Sequence, residues 1–92
     1  MEIKYFAYIR DYAKEKQTTW EAPADDLADL LKQLSDRYGS KFREAVFDET
    51  LTELNPLMVI IINGRHVTHL DGIHTKLAKS DTISIFPVVA GG

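Results

Sequence analysis

The chain has 92 residues, no cysteine and a formal net charge of −3, and these facts exclude several classes of protein. A chain of this length forms one domain with a modest core, because so small a domain hides only about 60% of its unfolded surface on folding. The lack of cysteine excludes disulfides, thiolate zinc sites and cysteine-bound iron–sulfur clusters. A small fold without disulfides suits the reducing cytoplasm, where we expect the protein to work.

The distribution of charge and hydropathy argues against two kinds of partner. The 11 basic residues are scattered among 14 acidic ones, so there is no basic stripe to follow a phosphate backbone, and we expect no nucleic acid partner. No uncharged stretch is longer than residues 54–64, and that stretch is far shorter than the roughly 20 apolar residues that cross a bilayer. The N-terminus lacks a basic patch followed by an apolar run. We therefore expect neither a signal peptide nor a membrane partner.

The N-terminal segment predicts two strands. Residues 3–9 are rich in aromatic and β-branched side chains, as a strand requires. A period of two places the odd-numbered residues on the core face, whereas Phe6 and Tyr8 point to the other side. A polar connection, residues 10–16, leads to a short second strand at residues 17–21.

The clearest element is an amphipathic helix. Its apolar side chains recur at i, i+3, i+4, i+7 and i+11 and form one stripe, made of Leu27, Leu30, Leu31, Leu34 and Tyr38. Asp25 and Asp26 precede the stripe, where carboxylates accept the free amide hydrogens of a helix start, and Gly39 is suited to end the helix. A shorter helical segment with one buried side is predicted around Phe42 and Val46.

The remaining residues predict three more strands. Residues 57–62 are six consecutive apolar side chains, four of them β-branched, which is typical of a strand covered on both faces. Asn63 and Gly64 form a two-residue hairpin signal that pairs this strand with residues 65–70. A last strand, residues 82–86, alternates in hydropathy with its odd-numbered residues facing inward.

The order is therefore ββα, a short helical piece and βββ. Each element has one apolar side, so the expected fold class is α+β, with a mixed sheet of about five strands and one main helix packed across it. With the last strand in the centre beside the first, this is the ubiquitin-like β-grasp fold. We expect a single domain over residues 1–92 with an extended C-terminal tail from about residue 87.

No arrangement of residues typical of an enzyme is present. The glycines form no phosphate-binding signature, and neighbouring carboxylates such as Asp48 and Glu49 are typical of a solvated surface. We interpret His66, His69 and His74 as surface or half-buried residues, because His66 and His69 would face opposite sides of a strand. No metal site and no intrinsically bound cofactor is therefore expected.

Two features indicate function. Phe6 and Phe86 point outward from strands that this fold makes neighbours, with His66 near them, and a contiguous exposed aromatic patch usually marks a protein interface. Gly91 and Gly92 end the chain, and a double glycine can lie extended in a narrow channel while another enzyme activates its carboxylate. The alternatives are that a loop or the helix covers the aromatic pair and that the tail is incidental.

Several motifs along the chain together carry a resemblance to a known family. In order they are F-A-Y-I-R at residues 6–10, the helix from Leu27 to Leu34, the Asn63-Gly64 turn, L-x-x-x-D-x-I-x-I-F-P at residues 77–87 and F-P-V-V-A-G-G at residues 86–92. The chain resembles the MoaD-type small subunit of molybdopterin synthase, within the wider family of β-grasp sulfur carriers. Val88 stands where many members of that family carry a second proline.

This resemblance implies a function for the tail. An E1-like enzyme would adenylate the Gly92 carboxylate with ATP and magnesium, and a sulfur donor would convert it to a thiocarboxylate. The tail would then enter the active site of the large, MoaE-type subunit and deliver sulfur to the pterin precursor of the molybdenum cofactor, so the chain would not be catalytic alone. Gly91 and Gly92 would form the reactive end, and the partner-binding residues would be Phe6, Arg10, His66, Phe86, Pro87, Val88, Val89 and Ala90.

Other functions remain open from the sequence. A ubiquitin-like modifier would use the same activation and then form an isopeptide bond between Gly92 and a lysine of a target protein. Related carriers would deliver sulfur to transfer RNA or to a thiazole instead of a pterin. A plain interaction domain with an incidental tail would need no activation at all.

Overall fold

The computed structural model describes residues 1–88, which form a five-stranded mixed sheet with helices packed on one face. The strands are β1 (Glu2–Tyr5), β2 (Gln17–Thr19), β3 (Met58–Ile62), β4 (Arg65–His66) and β5 (Thr82–Pro87). The helices are α1 (Ile9–Ala13), α2 (Leu27–Tyr38) and α3 (Ser40–Val46), and two short 3-10 turns occupy Val67–His69 and Gly72–His74. No helix in this part of the chain combines the length and hydropathy needed to cross a bilayer.

The strand order in the sheet is β2-β1-β5-β3-β4. The last strand lies in the centre, parallel to β1 on one side and antiparallel to β3 on the other. This arrangement confirms the predicted ubiquitin-like β-grasp fold. It also places the end of β5, and so the start of the C-terminal tail, between the end of β1 and the start of β3.

The core lies between the inner face of the sheet and the helices. Ile60 of β3 and Ile83 and Ile85 of β5 are fully buried there. The stripe predicted for α2 supplies the opposite wall, and its four leucines are completely buried: Leu27, Leu30, Leu31 and Leu34. The periodicity predicted both sides of this core because each strand and helix buries a single face.

The ends of α2 follow from its flanking residues. Asp26 caps the helix, because its side-chain oxygen accepts a hydrogen bond of 2.8 Å from the Asp29 amide. Gly39 ends it with a φ of +103°, a conformation that other residues rarely adopt. The second helical segment, α3, follows immediately and buries Phe42 and Val46, as predicted.

The predicted strand over residues 3–9 is too long. β1 ends at Tyr5, the chain turns through Ala7 at a φ of +53°, and α1 begins at Ile9. Ile9 is still buried, but it shares a helix face with Ala13, four residues on. An alternating pattern cannot distinguish one long strand from a strand followed by a helix, because Ile9 faces the core in both cases.

The predictions for residues 57–70 also need correction. β3 is buried on one face only, because all helices lie on the same side of the sheet; Leu57 precedes the strand and is 59% exposed. The Asn63-Gly64 turn is confirmed, with positive φ at both residues. The partner strand β4 stops after His66, whose Nδ1 accepts a hydrogen bond from the Thr68 amide and starts a 3-10 turn.

Candidate protein-interaction site

The face of the sheet opposite the helices carries apolar side chains. In the register of the sheet, Val59 lies opposite Phe86 and Ile61 lies opposite Ser84. None of these residues is fully buried, since no helix packs over them. A shallow groove runs across this face, lined by Phe6, Ala7, Ile61, Ser84, Phe86 and Pro87.

Phe6 and Phe86 form the aromatic pair that the sequence predicted. Their ring centroids are 5.8 Å apart and the rings are nearly perpendicular, at 86°. Phe6 follows β1, and its amide donates a 3.1 Å hydrogen bond to the carbonyl oxygen of Ile85, which prolongs the pairing with β5. With 37% of its surface exposed, Phe6 contributes to an apolar patch that faces solvent.

Arg10 fixes a positive charge at the edge of this patch. The chain reverses at Ala7, so the first turn of α1 folds back toward β1. The guanidinium carbon of Arg10 lies 5.4 Å from the centre of the Phe6 ring, and its Nε donates a 2.8 Å hydrogen bond to the Tyr5 carbonyl oxygen. The structure therefore unites Phe6, Phe86 and Arg10, and we call this set the aromatic face.

His66 does not join the aromatic face. It lies on the same side of the sheet, opposite Ile61, but β3 separates it from β5. Its ring packs instead 6.2 Å from that of His69, so the expectation that these two side chains diverge is wrong, because a 3-10 turn replaces the strand. Within residues 1–88, no three potential metal-ligating side chains of His, Asp or Glu cluster together.

The C-terminal end of β5 leads from the aromatic face into the tail. The strand runs to Pro87, which is buried, one residue beyond its predicted end. The Val88 amide then donates a 2.7 Å hydrogen bond to the Leu57 carbonyl oxygen, and the Val88 side chain is exposed. The predicted site residues Val89, Ala90, Gly91 and Gly92 lie outside the described residues.

The exposed large apolar side chains gather around this end of the sheet. Phe6 follows β1, Leu57 precedes β3 and Val88 follows β5, and these three strand ends are neighbours. Tyr8 and Leu51, in the segments attached to them, are also exposed. The sequence did not indicate that Leu51 or Leu57 is exposed, because Leu51 stands alone among polar residues and Leu57 begins an apolar run that predicts a buried strand. Phe6, Leu57 and Val88 thus leave exposed apolar surface where the tail begins.

A hydrogen-bonded chain lies beneath the aromatic face. The Tyr5 hydroxyl donates to the Tyr38 hydroxyl at 3.0 Å, and the Tyr38 hydroxyl donates to Glu15 Oε2 at 2.6 Å. Burial raises the pKa of Tyr5 well above its ordinary value and the pKa of Tyr38 to about 12. Both hydroxyls are therefore protonated at neutral pH and hold β1 against α2. They are structural groups, and the aromatic face above them is suited to recognition.

Comparison with known proteins identifies the family. The family model that describes ThiS proteins matches residues 3–92. Small archaeal modifier protein 3 of Haloferax volcanii is 34% identical over 100% of this chain and 98% of its own length. The solution structure of small archaeal modifier protein 1 from Methanosarcina acetivorans has 33% identity and a TM-score of 0.78, covering 99% of this chain and 94% of that one.

A second similar structure is that of a proposed molybdopterin converting factor, subunit 1, from Pyrococcus furiosus. It is 30% identical, with a TM-score of 0.74, over 96% of this chain and 95% of its own. These similarities extend over the whole chain and include both modifiers and a cofactor-biosynthesis protein, so the MoaD subtype is not singled out. The chain therefore belongs to the ThiS family, a group of ubiquitin-like β-grasp proteins that includes small modifiers and sulfur carriers.

Proposed function

We propose that this chain is a ubiquitin-like small modifier whose Gly92 carboxylate is joined to lysine side chains of target proteins. The observation that carries this proposal is the aromatic face, because its Phe86 lies on β5, the strand that runs directly into the tail, and packs against the exposed Phe6. The family match supports it because it extends through residue 92 and so includes Gly91 and Gly92. The full-length similarity to two small archaeal modifier proteins favours conjugation as the outcome.

The chemistry requires a second protein, because a carboxylate is a poor acceptor for an amine. An E1-like enzyme with ATP and Mg²⁺ would join the Gly92 carboxylate to AMP and release pyrophosphate. A lysine amine then attacks the carbonyl carbon, the amide bond forms, AMP leaves and the lysine nitrogen loses a proton. The two glycines present no side chain, so the backbone of the tail fits a narrow active-site channel.

The folded domain must supply the specificity that glycines cannot. A partner that recognises only two glycines would accept many peptides, whereas aromatic and arginine side chains are the residues that dominate protein interfaces. Phe6, Phe86 and Arg10 meet this description and are held rigidly by the sheet and by the Tyr5 carbonyl oxygen. We therefore propose that the aromatic face binds the activating enzyme, with Pro87 and Val88 guiding the tail and Val89 and Ala90 continuing it.

A second candidate function is sulfur transfer, favoured by the similarity to the proposed molybdopterin converting factor. In this case a sulfur donor replaces AMP on Gly92, and the thiocarboxylate enters a MoaE-type large subunit that would bind the same aromatic face. Two modifiers match the chain at 34% and 33% identity, against 30% for the converting factor, so we place conjugation first. The two functions share activation and differ only in the group that displaces AMP.

Intact-mass spectrometry and conjugate analysis test these functions together. The full chain and a variant that lacks Gly91 and Gly92 are produced in the source organism and isolated with an antibody under denaturing conditions. We expect the full chain to be found in isopeptide linkage to lysines of other proteins and the truncated chain to be unlinked. If the full chain instead gains the mass of one sulfur in place of one oxygen and no conjugates form, sulfur transfer replaces conjugation. If neither product is seen, both proposals are wrong.

A further inference from the structure

The strand β2 leaves one edge of the sheet open. It lies at the end of the strand order, and within residues 1–88 only β1 pairs with it. The Tyr5 amide of β1 donates a 2.9 Å hydrogen bond to the Lys16 carbonyl oxygen, so Lys16 directs its backbone groups toward β1. Because this direction alternates along a strand, the N–H and C=O groups of Gln17 and Thr19 point away from β1.

These outward backbone groups specify the shape of a partner. Gln17 and Thr19 are exposed, and among residues 1–88 nothing pairs with their outward N–H and C=O groups. An extended segment presents donors and acceptors at the same spacing and adds to such an edge as a further strand. Thr18 and Trp20 are half-buried on the inner side of β2, so alternate apolar side chains of the added strand would pack beside them.

Basic side chains lie at both ends of β2. Lys14 and Lys16 precede the strand. At its other end, the guanidinium carbon of Arg37, from α2, lies 5.5 Å from the centre of the Trp20 ring. All three cations are exposed, and among residues 1–88 no carboxylate forms an ion pair with any of them. The ends of this edge are therefore suited to acidic side chains of a partner.

Two of the carboxylates near β2 are already engaged by hydroxyl groups of the domain. Glu15 accepts the 2.6 Å hydrogen bond from Tyr38, and Glu2 accepts a 2.7 Å hydrogen bond from the Thr19 hydroxyl. Glu21 lies beyond the end of the strand. The carboxylates of the domain therefore leave the cations at the two ends of β2 available to a partner.

We infer that the open edge of β2 binds an extended protein segment that has an apolar centre and acidic residues on both sides of it. The acidic ends match Lys14 and Lys16 before β2 and Arg37 after it. A second copy of this chain fits less well, because lysines on an edge repel the same lysines in the copy. Since β1 separates β2 from β5, the segment would leave β5, and so the start of the tail, uncovered.

Fluorescence and amide hydrogen exchange of the full chain test this inference. Trp20 is the only tryptophan, so its emission reports binding beside β2. The probe is a peptide with blocked ends that has Val-Thr-Val in its centre and two glutamates on each side, and the control peptide has lysine in place of glutamate. We expect the acidic peptide to shift the Trp20 emission, to bind about tenfold more tightly than the basic one, and to slow exchange of the Gln17 and Thr19 amides.

Two substitutions at one position separate strand addition from attraction by charge. Gln17→Pro removes an outward N–H, and an edge strand tolerates proline where the N–H faces solvent. Gln17→Ala is the matched control, because it keeps the N–H. We expect Gln17→Pro to weaken binding of the acidic peptide about tenfold and Gln17→Ala to bind it like the parent, while both variants unfold thermally close to the parent.

A second pair of substitutions tests the charge. Arg37→Gln should weaken binding of the acidic peptide about fivefold and reduce its dependence on salt, whereas Lys32→Gln removes the same charge elsewhere on α2 and should change neither. If the acidic peptide leaves the Trp20 emission and the Gln17 amide exchange unchanged, if both peptides bind equally, or if Gln17→Pro binds like the parent, the inference is wrong. These measurements need no activating enzyme, so their outcome is separate from that of the proposed function.

Discussion

The two faces of the sheet carry similar side chains but differ in what covers them. On the inner face Ile60, Ile83 and Ile85 have no exposed surface, because α2 packs against them. On the outer face Ile61 and Phe86 are only half-buried. Apolar surface that stays in contact with water contributes less to the stability of the free domain, and under the proposed function a partner protein would cover it. Substitutions on the inner face should therefore lower stability and leave partner binding unchanged. Substitutions on the outer face should mainly weaken partner binding.

The largest loss of stability is expected on the inner face. Ile85→Ala removes methyl groups from a fully buried position in the central strand and leaves a cavity, so we expect the free energy of unfolding to fall by about 2–5 kcal/mol. Chemical denaturation measures this change. Binding to the activating enzyme, measured where the variant is still folded, should match the parent. If the folded Ile85→Ala variant bound the activating enzyme more weakly than the parent, the proposal that the outer face alone binds this partner would be contradicted.

An intermediate loss of stability is expected when the hydrogen-bonded chain from Tyr5 through Tyr38 to Glu15 is broken. Tyr38→Phe leaves the buried Tyr5 hydroxyl without an acceptor and should lower the free energy of unfolding by about 1–3 kcal/mol. Tyr5→Phe is the matched control and should cost less, because the Tyr38 hydroxyl still donates to Glu15. Equal losses in the two variants would show that the unsatisfied hydroxyl is not the cause.

The pH dependence of the same pair provides a second measurement. The folded-state pKa of Tyr38, about 12, lies above its unfolded value of about 10, so the folded state binds this proton more tightly. The corresponding stability is complete below pH 10 and is lost as the pH rises through about 12. Tyr38→Phe should therefore reduce the slope of unfolding free energy against pH in this alkaline range.

The smallest loss of stability is expected on the outer face. Phe86→Ala removes a half-buried ring and its edge-to-face contact with Phe6, and the two losses together should cost about 1–2 kcal/mol of unfolding free energy. Carrier-dependent ATP–pyrophosphate exchange should show a KM raised about tenfold or more, because the ring belongs to the aromatic face. An unchanged KM would show that the aromatic face does not bind the activating enzyme.

Much of the fold was predictable where local pattern and tertiary packing agree. The stripe of α2, its cap at Asp26 and the Asn63-Gly64 turn depend on neighbouring residues, so their patterns are complete in short windows. The turn at Ala7 was not predictable, because an alanine at positive φ is held by later packing of α1 and carries no turn signal. The early end of β4 was missed because the hydrogen bond from the Thr68 amide to the His66 ring, which starts the 3-10 turn, gives no signal in the hydropathy pattern.

The candidate site was predictable in part. The outward direction of Phe6 and Phe86 followed from the period of a strand, and their contact followed from the predicted topology. The predicted place of His66 beside Phe6 and Phe86 was wrong, because β3 lies between His66 and β5. The resemblance to MoaD proteins identified the wider family, whereas the comparisons favour modifiers over a molybdopterin pathway.

By itself the sequence determined which side of each regular element is apolar, and therefore the β-grasp arrangement that buries those sides together. It also identified Gly91 and Gly92 as the end that an activating enzyme would use, although it left open which group displaces AMP from Gly92. The tertiary structure alone decided which apolar residues stay uncovered, because coverage depends on where the helices pack and not on the residues themselves. It likewise placed Leu57 and Val88 at one end of the sheet, which no local pattern encodes.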